Sequence, residues 1–172
     1  MLDTRPLLLK TDFPLLKRDT VETLQVNLGY KCNLSCTHCH VNAGPTRSEQ
    51  MTREIANLVL EYLNVRPVKT MDLTGGAPEL NPHFKYLVEE TKARGMEVID
   101  RCNLTILGEP GMEDIAAFMA EKGVTVTASL PCYSEQNVEK QRGKHVYWES
   151  ITALKKLNSL GYGAEPEKQL NL

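Results

Sequence analysis

The chain has 172 residues, a hydrophobic fraction of 41%, a charged fraction of 24% and a formal net charge of −2. That length suffices for one domain with its own core. The scattered Lys and Arg residues and slightly acidic balance argue against a nucleic-acid partner, because phosphate binding calls for a basic surface.

Residues 1–22 read as an irregular lead-in, broken by Pro6 and Pro14. The run Leu7-Leu8-Leu9 is cut short by Lys10 and Asp12, too brief for a signal-peptide core. No segment approaches the length of a membrane span. A cytoplasmic setting is therefore expected, where thiols stay reduced. Five cysteines in such a chain point to metal binding or catalysis rather than to disulfides.

From residue 23 a rhythm begins. Strands are expected over 24–28, 68–73, 97–102 and 124–129, with helical patterns between them. The first helix has Thr52 as N-cap and a buried stripe of Ile55, Leu58, Val59 and Tyr62. The second follows Asn81-Pro82 and buries Phe84, Leu87 and Val88. The third carries Ile115, Phe118 and Met119 and stops at Gly123. The fourth carries Ile151, Leu154, Leu157 and Leu160 and stops at Gly161, and residues 169–172 start a fifth strand. Repeated strand–helix units imply an α/β fold with a parallel sheet, a partial (β/α) barrel of four to five units. The expected organisation is a lead-in over 1–22 and one core domain over 23–172, belonging to a longer barrel. The open sheet edge leads us to expect poor solubility without further strands.

In parallel α/β sheets, ligands bind beyond the C-terminal ends of the strands. The unusual residues fall there. Cys32, Cys36 and Cys39 follow the first strand, Gly75, Gly76 and Glu79 the second, Cys102 and Asn103 the third, and Cys132 the fourth. Three thiolates in one loop can hold an iron–sulfur cluster with one iron left open. The other reading is a zinc site completed by His40 or His38. Gly75 and Gly76 let backbone approach a ligand closely, and Glu79 can accept from an ammonium group; the plain alternative is a strand-to-helix turn. Arg142 suits a carboxylate, or belongs to a solvated charged turn over 139–144. Asn103 could reach a ligand through its amide. His40 and His83 read as exposed loop residues, Asp100 as a buried, satisfied acid, and Trp148 as packed in the last helix.

The stretches 27–40, 72–82, 99–105, 128–134 and 140–143, with their C-x3-C-x2-C loop and Thr-Gly-Gly-Ala-Pro-Glu turn, resemble the radical S-adenosylmethionine (SAM) proteins of arsenosugar biosynthesis. The resemblance implies a [4Fe–4S] cluster on Cys32, Cys36 and Cys39, with SAM chelating the open iron. It places Gly75, Gly76 and Glu79 at the methionine end of SAM and Arg142 on its carboxylate. His38 falls near its adenine, and Asn103 near ribose or substrate. Reductive cleavage would give methionine and a 5′-deoxyadenosyl radical, with electrons from a reductant such as flavodoxin or ferredoxin. In the resembling family that group is added to methylated trivalent arsenic. Cys102 and Cys132 are the candidate thiols for so soft a substrate, or else two buried apolar residues. Two other functions stay open: a radical SAM enzyme abstracting hydrogen from a peptide or small metabolite, and a zinc-stabilised binding module.

Overall fold

The computed structural model describes residues 3–14 and 16–172. Within the expected lead-in, residues 1, 2 and 15 lie outside the described residues. The remainder is exposed and carries one short helix, α1 (Arg5–Leu8). Five strands follow: β1 (Thr23–Asn27), β2 (Thr70–Thr74), β3 (Glu97–Asp100), β4 (Thr125–Thr127) and β5 (Leu170–Asn171). They pair in chain order, and every pair is parallel. This is the α/β architecture expected, an arc of a (β/α) barrel.

The connecting helices are α2 (Arg53–Val65), α3 (Phe84–Ala93), α4 (Ile115–Lys122), α5 (Glu135–Arg142) and α6 (Val146–Ser159). Their ends follow local chemistry. Thr52 Oγ1 accepts from Ile55 N at 3.5 Å and caps α2. Asn81 Oδ1 accepts from His83 N at 2.8 Å just before α3. Gly123, at φ +59°, closes α4 in a left-handed conformation that costs a Cβ-free residue little. No helix among the described residues is long and apolar enough to cross a membrane.

Side chains alternate across the sheet, so each strand addresses two surroundings. On one face Met71 and Leu73 meet the helical layer, where Thr91 of α3 lies 3.5 Å from Met71 Sδ. Val98 and Asp100 pair with Met71 and Leu73 in register, so they share that face. The other face carries Gln25 and Asp72, cross-strand partners joined at 2.9 Å.

The helical layer departs from the expected pattern in two places. In α2 the buried residues are Ala56, Leu60 and Leu63, whereas Ile55, Leu58 and Tyr62 are exposed. Of the stripe chosen by periodicity only Val59 packs against the core, at its margin; Ala56, Leu60 and Leu63 share the same helical spacing and form the buried face. α5 was not expected at all, because Val138 is its one buried apolar residue. Trp148 is also exposed rather than packed, with its indole N–H donated to Glu135 at 2.9 Å.

Candidate functional site

Beyond the C-terminal ends of β1 to β4 lies a cleft of about 230 Å³. Cys32, Cys36 and Cys39 line it with His38 and His40, Gly75 and Gly76 lie beside Thr74, and Arg101, Asn103, Ser129 and Arg142 complete the wall. Four consecutive strand ends therefore converge on one site, as the strand rhythm implied.

The cysteine loop is anchored at its stem. Gly76 N donates to Gly29 O and Ala77 N to Lys31 O, each at 2.9 Å. A Cβ on Gly75 would sit 2.5 Å from Gly29 O, and one on Gly76 would sit 2.3 Å from Lys31 O. The two glycines thus let the second loop lie directly under the first. That is a packing reason for the Gly-Gly pair, in addition to its place on the cleft wall. Across the cleft, Thr37 N donates to Gln141 O of α5 at 2.9 Å and ties the loop to the fourth unit.

All five cysteines are free thiols. Cys32 is buried, and burial pushes its thiol upward while the Leu34 N–H and the Asn103 amide pull it down. Those donors lie 3.5 and 3.3 Å from its sulfur. Ala43 N approaches Cys39 Sγ at 3.3 Å. Burial wins, so the Cys32 thiol stands above its ordinary value, and the two donors to it reduce the cost of the thiolate that metal binding needs. A single tetrahedral ion binds sulfur at about 2.3 Å and so draws its ligands close together. The loop thiols do not form a set whose ligand atoms all lie within 4.8 Å of one another.

Asn103 reaches the site, but its side chain is committed. Nδ2 donates to Cys32 Sγ and, at 2.8 Å, to Asn33 Oδ1, while Oδ1 accepts from Ile106 N at 3.0 Å. It braces the cysteine loop rather than offering its amide to a ligand. Asn33 does the same from the other side, donating to Thr105 and Glu109 at 2.9 Å each. Sequence reasoning gave Asn33 no role.

Arg142 is no solvated turn. It ends α5 and is buried, with guanidinium N–H groups donated to the Ser129 carbonyl and, at 3.3 Å, to the Asn103 carbonyl. Its Nε is buried without a partner. Arg101 was also overlooked. It lines the cleft and forks onto Asp72, with Nε to Oδ1 and Nη2 to Oδ2 both at 2.8 Å. A carboxylate between Met71 and Leu73 in a buried strand, with a cation just past the end of the next strand, was the available signal.

Three expected site residues do not face the cleft. Glu79 lies in a short 3-10 helix, Pro78–Leu80, and its carboxylate is buried in the helical layer. Cys102 is fully buried on the same side, accepting from Leu104 N at 3.3 Å. Strand parity explains this: Arg101 and Asn103 point to the cleft, so Asp100 and Cys102 point away. Asp100 is buried as expected but poorly satisfied: no donor from elsewhere in the fold reaches either oxygen, and only a proton shared with Glu79 would serve it. Cys132 is half-exposed in a turn with Ser134 and Asn137 and does not line the cleft. Cys102 and Cys132 are therefore not brought together. His40, expected as a plain loop residue, is exposed at the cleft rim, and His83 is half-buried ahead of α3.

A family model described as the Radical SAM superfamily matches residues 26–164. Mycofactocin maturase MftC of Mycolicibacterium smegmatis is 26% identical over 136 residues, covering 78% of this chain and 34% of the maturase. GTP 3′,8-cyclase of Chlorobaculum tepidum is 31% identical over 74 residues, 43% of this chain and 22% of the cyclase. Among solved structures, SuiB of Streptococcus suis, bound to S-adenosylmethionine, superposes with a TM-score of 0.69 at 15% identity, covering 88% of this chain and 33% of SuiB. The chain spans about a third or less of the length of each.

Proposed function

Because this chain belongs to the radical SAM superfamily, we propose that Cys32, Cys36 and Cys39 hold the [4Fe–4S] cluster that the superfamily uses, with SAM beside it in the cleft. The observation that carries this is three free thiols on one cleft wall, with amide donors at Cys32 and Cys39. When bound, the cluster and SAM supply reductive cleavage of the sulfonium and a carbon radical for a second substrate.

The chain's own residues hold and orient. Asn103 and Asn33 fix the loop that carries Cys32. Gly75 and Gly76 bring the second loop's backbone to the cleft wall. Arg142, pinned by two carbonyls, offers a fixed cation with Nε unpaired for the SAM carboxylate. His38 stands at the rim, where an imidazole can pack on adenine. Leu34 and Ala43 give the wall an apolar patch that keeps water from the reacting centre.

For the second substrate we assign a methylated trivalent arsenic species that receives the deoxyadenosyl group, on the strength of the five resembling stretches. Cys132, three residues beyond Ser129 of the cleft wall, is the accessible thiol for such a substrate, and Cys102 is withdrawn from it. Hydrogen abstraction from a peptide or small metabolite is the second reading, favoured by the similarity to MftC over most of the chain.

The test is anaerobic reconstitution followed by incubation with SAM, a low-potential reductant and dimethylarsenite. We expect iron and sulfide that are lost when Cys32, Cys36 and Cys39 become Ala, reductant-dependent methionine, and a deoxyadenosyl–arsenic adduct by mass. Free 5′-deoxyadenosine as the sole nucleoside product replaces the arsenic assignment with hydrogen abstraction. Colourless protein holding zinc on those three cysteines overturns the cluster assignment itself.

A further inference from the structure

Glu79, Asp100 and Cys102 come from a 3-10 turn, the end of β3 and the loop after it, yet each presents a ligand atom within 4.8 Å of the other two. Among the described residues no other trio of His, Cys, Asp and Glu converges this closely. The three residues are 4%, 0% and 0% exposed. None of the four buried carboxylate oxygens is met by a donor from outside the trio; within it, the Cys102 thiol and a protonated Asp100 carboxyl are the groups in reach of Glu79. The nearby Tyr162 hydroxyl gives them no help, because it donates to Val124 O at 2.8 Å. Arg101 is spent on Asp72, on the opposite face of the sheet.

Two buried carboxylates whose only donors are a thiol and each other's proton are among the most costly things a core can hold. One proton shared between them would serve one oxygen of each, and the Cys102 S–H, a weak donor, at best one more. A cation at the meeting point serves both carboxylates and the sulfur together and offsets most of their charge. Calcium and magnesium take oxygen ligands alone, whereas a mixed carboxylate and thiolate set suits a borderline ion bound tetrahedrally. We propose that Glu79, Asp100 and Cys102 form a buried site for a zinc-class divalent ion, the fourth tetrahedral position being filled by the second oxygen of one carboxylate. It lies on the helical side of the sheet, behind the cysteine-loop cleft. There it fastens the turn after β2 to the end of β3.

The test is elemental analysis of the full chain purified anaerobically. We expect stoichiometric zinc beside the iron. Replacing Cys32, Cys36 and Cys39 together by Ala should remove the iron and leave the zinc. Glu79→Gln with Asp100→Asn should remove the zinc and leave the iron and sulfide. Zinc that departs with the three loop cysteines, or wild-type protein with no metal besides iron, overturns the site in favour of a shared proton. Should the double variant fail to fold, cobalt supplies the second measurement. The triple Ala variant refolded with Co²⁺ should show a sulfur-to-cobalt charge-transfer band that Cys102→Ser abolishes. Absence of that band, or its persistence in Cys102→Ser, also overturns the proposal.

Discussion

Cys132 sits in a turn where the Ser134 backbone N–H and the Asn137 amide point at its sulfur, bringing its thiol down to about 7. Thiolate is the reactive form, so a lowered value fills it at lower pH. Alkylation of Cys132 by iodoacetamide, followed by peptide mass mapping, should rise with pH, with a midpoint at about 7. A midpoint at the ordinary thiol value of about 8.5 would contradict the turn geometry. Cys102 behaves in the opposite way: burial first, then the charges of Glu79 and Asp100, push its thiol well above the ordinary range. The placement of these residues was half legible. Spacing along the chain put Glu79, Cys102 and Asn103 at strand ends, and they are there. For the residues after β3 the side faced follows from parity, and counting forward in twos from Val98 sends Asp100 and Cys102 to the helical layer and leaves Asn103 on the cleft. Arg142 was less readable, since nothing in Gln141-Arg142-Gly143 signals that a helix will carry its guanidinium inward.

At the scale of an element, α2 is the instructive case. Its sequence offers two apolar stripes, and periodicity cannot tell which one meets the sheet. Leu60 is 3% exposed and Leu58 is 57% exposed. Leu60→Ala should cost about 2–5 kcal/mol of stability through lost burial and the cavity left behind. Leu58→Ala should stay within about 0.5 kcal/mol. Urea denaturation measures both, and equal losses would mean that α2 is rotated from the orientation described. The capped helices were legible because Thr52, Asn81 and Gly123 act locally. α5 was not, because a charged helix with one buried apolar residue carries almost no periodic signal, and its position depends on contacts with distant parts of the chain.

For the whole molecule, strand pairing is uneven. β1 and β2 share a register of five residue pairs, while β4 and β5 share two. Local opening is easiest where few backbone bonds and buried contacts must break. Amide hydrogen exchange should therefore be slowest in β2 and faster in β4 and β5; uniform protection across the sheet would contradict this gradient. The parallel order was legible from the βα rhythm alone, because crossovers of this length leave few other topologies. The bond from the cysteine loop to α5 adds a consequence in time. Thr37 and Gln141 are 104 positions apart, so their contact closes a very long loop. Such contacts come late in folding, after the closure entropy has been offset by nearer ones. The thiol loop can form early, on β1 and β2. The cleft around it exists only once the fourth unit has docked, so the wall that α5 supplies is completed after the loop itself.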